Sequence, residues 1–175
     1  MKESVYLIGC RAVGKSSIGK ELARGLAWKF LDTDSLITDK FGQTVAEIVA
    51  ADGWPKFREA EQEVLQELQN EKKCVVATGG GAILHTEVWP ELKKQGNVIW
   101  LTADLATLCA RIRGDVQSAS LRPSLTGKDI YQELEDVLIE RSPLYEAFAD
   151  CIIDTGVLNM EQAVLEITNY VKGIQ

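Results

Sequence analysis

Gly9-Cys10-Arg11-Ala12-Val13-Gly14-Lys15-Ser16 follows the apolar run Val5-Tyr6-Leu7-Ile8 and opens a helical pattern carrying Ile18, Leu22 and Leu26. The spacing G-x-x-x-x-G-K-[ST] between a strand and a helix is a P-loop. Such a turn exposes successive backbone N–H groups at a helix N-terminus, where unpaired donors and the positive dipole end hold a phosphate. Lys15 reaches the outer phosphates, and the Ser16 hydroxyl suits a magnesium ion bridging them. Average residue frequencies produce this pattern by chance in roughly one chain in two hundred of this length, and the strand and helix around it lower that further.

The composition agrees with one compact domain spanning residues 1–175. A chain of 175 residues with 46% hydrophobic content buries roughly 70% of the surface that its unfolded form exposes. No signal peptide or membrane-spanning run stands out, so a soluble cytoplasmic protein is expected, with no membrane partner and monomeric. Cysteines 10, 74, 109 and 151 are widely spaced without a C-x-x-C pair, so free thiols are expected rather than zinc or disulfides. A net charge of −7 argues against a nucleic-acid surface. A small anionic ligand needs only a local cluster of cations, drawn from Arg11, Lys15, Arg58, Arg111, Arg113, Arg122 and Arg141. His85 is the single histidine, which excludes Ser-His-Asp triads and multi-histidine metal sites. It reads as a non-catalytic residue on the surface or at the start of a helix.

Short apolar runs at residues 5–8, 29–32, 74–78, 98–102 and 151–154 alternate with amphipathic helices, the pattern of a parallel α/β sheet covered on both faces. Thr44 with Glu47 reads as a capping box and Pro55 suits a first helical turn. Asn159 with Gln162 opens a last helix with Met160, Val164, Ile167 and Val171 on one face, stopped by Gly173. Pro90 delays the start of the helix expected between residues 86 and 95. The polar stretch Gly114-Asp115-Val116-Gln117-Ser118-Ala119-Ser120 is an insertion before Leu121-Arg122-Pro123.

Several residues carry candidate chemistry. Asp32 and Asp34 end the second strand, where carboxylates face the ligand crevice. If the strand persists they point to one side, one holding magnesium and the other accepting a hydroxyl proton; Asp34 could equally cap the next helix. Gly79, Gly80 and Gly81 follow the third strand, where bare backbone approaches a ligand closely. Arg58 lies beside the stripe Phe57, Val64, Leu65 and Leu68, with Glu61 able to brace it or simply to form a solvated pair. Arg141, before Ser142-Pro143, reads as a cation at a helix terminus. Arg122 is placed to close over bound phosphates or is a surface arginine. Cys10, near Lys15 and a helix N-terminus, is expected to favour its thiolate and to react faster than Cys74 or Cys151.

Taken together, Gly9 to Ser16, Asp32-Thr33-Asp34, Phe57-Arg58-Glu59-Ala60-Glu61, Ala77-Thr78-Gly79-Gly80-Gly81, Leu121-Arg122-Pro123 and Glu140-Arg141-Ser142-Pro143-Leu144-Tyr145 resemble the shikimate kinase family in order and spacing. The resemblance implies a nucleoside-monophosphate-kinase-like P-loop fold with strand order 2-3-1-4-5, a substrate-binding region around residues 34–61 and a lid around 112–126. It implies transfer of the ATP γ-phosphate to the 3-hydroxyl of shikimate, on the route to chorismate and the aromatic amino acids. Ser16 and Asp32 would serve Mg2+. The loop from Ala12 through Val13, Gly14 and Lys15 to Ser16 and Ser17 would hold ATP, with Arg111 against adenine and Arg122 closing from the lid. Asp34 would meet the reacting hydroxyl, Arg58 and Arg141 the shikimate carboxylate, and the backbone of Gly79, Gly80 and Gly81 the ring hydroxyls. Asp34, Lys15 and Arg122 would carry the catalysis. The chain departs from the family pattern at Ala12, where glycine is usual, and at Trp54-Pro55, where many members have glutamate. A kinase for another small metabolite on the same fold is the rival reading; a nucleotide switch is disfavoured because Asp39-Lys40-Phe41-Gly42 lacks an N-K-x-D partner.

Overall fold

The computed structural model describes residues 2–114 and 129–173. Five parallel strands form one sheet in the order β2-β3-β1-β4-β5: β1 (Ser4–Ile8), β2 (Lys29–Asp32), β3 (Cys74–Ala77), β4 (Gly96–Thr102) and β5 (Cys151–Asp154). Each expected strand is present, β4 beginning two residues before the expected 98. β1 and β3 are buried at every position, as central parallel strands must be. The expectation of burial on both faces fails at β2 and β5, because these two are the sheet's edges and keep exposed positions such as Lys29 and Ile152.

Helices cover both faces. α1 (Lys15–Leu26) and the last helix, α7 (Met160–Lys172), pack over Val5, Leu7, Val75, Ile99 and Leu101. On the other face Tyr6, Ile8, Val76 and Val98 meet Leu65, Trp89, Leu92 and Tyr145. α7 starts on the Asn159–Gln162 capping box and stops at Gly173 in the left-handed conformation. Its buried face is Ala163 and Ile167, flanked by Val164 and Val171, whereas Met160 is exposed, contrary to its assigned place on that face. The short α4 (Trp89–Gln95) takes Pro90 into its first turn, so the proline starts the helix instead of breaking it.

α2 (Thr33–Phe41) and α3 (Val45–Glu67) carry the region between β2 and β3. α3 begins on the Thr44–Glu47 capping box and is kinked at Gly53, whose φ of 80° and ψ of 174° leave the helical region. That conformation suits glycine, and Pro55 lies in the first turn after the kink. The kink re-aims the second half of α3 so that Phe57, Ala60 and Val64 pack on Ile37 and Ile48. α5 (Leu105–Gly114) follows β4, and α6 (Ile130–Phe148) runs through Pro143. The proline removes its own N–H donor to Ile139, a residue that is 72% exposed. Arg141 is therefore inside a helix, not at a terminus. The expected lid around 112–126 falls, apart from the end of α5, outside the described residues, and so does Arg122.

Candidate active site

The strand order reverses at β1, and the loop after β1 lies at that switch point, where open α/β sheets place ligands. Gly9 has a φ of 136°, and a Cβ there would stand 2.2 Å from the Leu101 carbonyl oxygen, so only glycine lets the loop leave β1 against β4. Ala12 has a φ of 65°, a left-handed conformation that an alanine adopts at a cost of about 1 kcal/mol relative to glycine. The loop is held from behind. Arg111 on α5 donates to the Ala12 carbonyl at 3.3 Å and to Thr155 Oγ1 at 3.0 Å, and Thr155 Oγ1 donates to the Val13 carbonyl at 3.0 Å. Thr155 carries no sequence signature that would have exposed this role.

Lys15 is buried and donates to the carbonyls of Gly9 and Cys10 at 2.8 and 2.7 Å. Ser16 Oγ donates to Asp32 Oδ2 at 2.8 Å, joining the first helical turn to the end of β2. The strand does not persist past Asp32. Asp32 is the N-cap of α2, its Oδ1 accepting from the Asp34 amide at 3.1 Å, so the cap is Asp32 rather than Asp34. The two carboxylates diverge accordingly: Asp32 goes to Ser16, and Asp34 lines a pocket next to Gly79.

That pocket, of about 640 Å³ including its open mouth, is lined by Cys10 and Arg11 of the P-loop, Asp34, Arg58, the glycine triplet and Arg141. Arg11, Arg58 and Arg141 thus converge, as an anion site on an acidic chain requires. Arg141 is 6% exposed on α6. Arg58 is held on several sides: its guanidinium lies 5.5 Å from the Trp54 ring and 5.2 Å from the Phe57 ring, and Nη1 donates to Glu61 Oε2 at 2.5 Å. Glu61 is fully buried, so the pair is not the solvated surface pair that its spacing allows. Its other oxygen, Oε1, is buried without a hydrogen-bond partner among the described residues.

The glycine triplet is built into this arrangement. A Cβ at Gly81 would stand 2.1 Å from Arg58 Nη1, and one at Gly79 would stand 2.7 Å from Glu61 Oε1. Bare backbone is what lets the charged pair sit against the loop. Thr33 Oγ1 accepts from the Gly79 amide at 2.8 Å, and the buried Tyr145 hydroxyl donates to the Gly80 carbonyl at 2.6 Å. Burial pushes the Tyr145 hydroxyl well above the usual phenol range, so it stays a donor at any working pH. Tyr145 is stacked on Trp100 at 5.7 Å.

Two sequence expectations fail here. His85 is buried, with Nε2 3.1 Å from Glu61 Oε2, and is not a surface residue; Glu61 is 24 positions away in the chain. Cys10 is 2% exposed, and burial raises its thiol above the ordinary value, outweighing the lowering by Lys15. Sequence proximity shows the cation but not the desolvation. Glu133, Leu134 and Val137 of α6 and Val45, Trp54 and Phe57 of α3 complete the walls. Val45, Trp54 and Phe57 fall within the substrate-binding region that the resemblance implies around 34–61, whereas Glu133, Leu134 and Val137 are not assigned to the site by sequence.

A P-loop at the switch point of a 2-3-1-4-5 parallel sheet, opening on an arginine-lined pocket, defines a nucleoside-monophosphate-kinase-like P-loop protein. The chain belongs to the shikimate kinase family, whose model, described as shikimate kinase, matches residues 11–172. A relative from Dickeya chrysanthemi named shikimate kinase 2 is 42% identical over 154 residues, 88% of each chain. Another of that name, from Yersinia pestis (strain Pestoides F), is 41% identical over 171 residues, 96% of this chain and 97% of its own. The solved shikimate kinase from Acinetobacter baumannii, in complex with shikimate, superposes with a TM-score of 0.89 at 32% identity, covering 99% of this chain and 94% of that one.

Proposed function

We propose that this chain transfers the γ-phosphoryl group of ATP to the 3-hydroxyl of shikimate, giving shikimate 3-phosphate and ADP. The observation that carries the reading is the convergence of Arg58, Arg141, Asp34 and the glycine triplet in one pocket whose wall includes P-loop residues Cys10 and Arg11. Two arginine forks suit a carboxylate, and a polyol ring finds an acceptor in Asp34. The enzyme acts in this reading as a monomer, in a cytoplasmic setting that supplies ATP.

Ser16 Oγ and Asp32 Oδ2, hard oxygen donors 2.8 Å apart at the end of the P-loop, fit Mg2+. Ser16 and Asp32 would hold the ion, which would supply neutralisation of phosphate charge. Lys15 and the amides from Ala12 to Ser17 hold the phosphates. Arg111 secures the loop backbone and flanks the base. Arg58 and Arg141 fix the acceptor by its carboxylate, and the backbone of Gly79, Gly80 and Gly81 meets its hydroxyls. Asp34 orients the reacting hydroxyl and takes its proton as the new O–P bond forms, while the electron pair of the breaking P–O bond leaves with ADP. Arg122 closes over the transferring group. Positioning and charge stabilisation supply most of the acceleration in such a transfer.

ADP release tested with shikimate, gluconate, AMP and water as acceptors checks this. Release with shikimate far above the other three is expected. Equal release with and without shikimate would contradict it and mark a bare NTPase.

A further inference from the structure

Glu61 Oε2 serves two donors: Arg58 Nη1 on its own helix at 2.5 Å and His85 Nε2 at 3.1 Å. A carboxylate already engaged by a guanidinium has only lone pairs to offer, so His85 presents Nε2–H to it. The backbone that carries His85 is tied to the glycine triplet by a run of hydrogen bonds. Ala82 N donates to Gly79 O at 3.1 Å, Leu84 N to Gly81 O at 3.0 Å, His85 N to Ala82 O at 3.2 Å, and Val88 N to His85 O at 3.1 Å. Thus the loop that lines the pocket also carries the donor standing behind Glu61.

The rotation of a glutamate carboxyl about its last torsion is broad and weakly restrained. With Oε1 unpartnered among the described residues, the His85 bond is the contact besides Arg58 that sets the plane of this carboxylate. That plane in turn sets the direction of the Arg58 fork, whose guanidinium carbon lies 5.5 and 5.2 Å from the Trp54 and Phe57 ring centroids. We infer that His85 is a positioning residue for acceptor binding, which donates from Nε2 to Glu61 and so holds Arg58 in the orientation that grips the substrate carboxylate. It touches neither nucleotide nor reacting atoms. Its effect belongs in acceptor affinity and not in ATP affinity. The inference rests on the acceptor reading proposed above.

The test compares wild type, His85→Leu and His85→Gln by shikimate KM, kcat, ATP Kd measured without shikimate, and thermal unfolding. The glutamine amide nitrogen reaches the place of Nε2, whereas leucine fills the space without a donor. Loss of one hydrogen bond to a charged group corresponds to about a tenfold rise in shikimate KM for His85→Leu. ATP Kd and kcat stay near wild type, and His85→Gln recovers most of the loss. His85→Asn, too short to reach Glu61, replaces the leucine variant if that one does not fold. An unchanged shikimate KM in the folded donorless variant overturns the inference, as does a glutamine variant as impaired as leucine, or an equal loss of ATP binding. Failure of wild type itself to phosphorylate shikimate overturns the acceptor reading instead, and the two failures appear in different arms of the experiment.

Discussion

The phosphate loop and the acceptor pocket meet at Cys10 and Arg11 but are built in opposite ways. The loop is contiguous chain, its geometry set by backbone and secured from behind by Arg111 and Thr155. The pocket is assembled from the β2–α2 junction, the second half of α3, the glycine triplet and the middle of α6, and its Arg58 is paired with the buried Glu61. A phosphate site can be backbone because amides at a helix N-terminus bind any phosphate. A site that selects one acid needs side-chain forks fixed in direction, and fixing Arg58 takes Glu61, Trp54 and Phe57. Substitutions in the two regions should therefore separate cleanly between acceptor and nucleotide.

The largest effect is expected for Glu61→Ala, which leaves the Arg58 guanidinium without its carboxylate. Breaking a buried pair costs about 3–5 kcal/mol, and since the Arg58 side chain is 23% exposed the lower end applies. Thermal unfolding should drop by on the order of 10 °C at this chain length, together with loss of acceptor affinity. A melting temperature unchanged within a degree would show that the pair does not stabilise the pocket.

Next comes Arg141→Lys. It keeps charge but loses the two-pronged grip, which is worth about 1.5–3 kcal/mol, so shikimate KM should rise roughly tenfold to a hundredfold while ATP Kd without shikimate holds. Arg141 lies inside α6, so a circular-dichroism melt accompanies the kinetics. ATP binding that weakens as much as shikimate use would erase the division between the regions.

Arg111→Ala probes the other side. Losing its bonds to Ala12 and Thr155 should raise the ATP Kd several-fold, from about 1 kcal/mol of lost loop restraint, and leave shikimate Kd unaltered. Calorimetric titration of each ligand separates the two. The smallest effect concerns Cys10, whose thiol burial raises. A raised value means less thiolate at neutral pH, so alkylation of Cys10 should be slow at pH 7, slower than at the partly exposed Cys151, and should still be climbing above pH 9. Cys10 labelled first at pH 7, as its neighbours in sequence suggest, would mean that the loop opens readily.

What the sequence made legible follows the same division. The P-loop, five strands, two capping boxes and the Gly173 stop are local patterns, and each appears where the residues put it. The acceptor pocket was legible as a set of residues through resemblance, but not as an arrangement. Pro143 reads as a helix end, yet α6 continues through it and Arg141 is buried within the helix. The i, i+3 spacing of Arg58 and Glu61 looks the same on a surface and in a core. His85 joins Glu61 only through tertiary packing, and Cys10 is governed by a burial that neighbouring residues in sequence do not reveal.

The central claim is that a carboxylate held by Arg58 and Arg141 places the acceptor for ATP. Comparing initial rates for shikimate and its methyl ester tests this most directly, since the ester keeps the ring and every hydroxyl but removes the charge. The account predicts that kcat/KM for the ester falls roughly a hundredfold or more, through loss of charge-assisted hydrogen bonds to two arginines, with ATP Kd unchanged. Ester and acid phosphorylated with equal kcat/KM would contradict it.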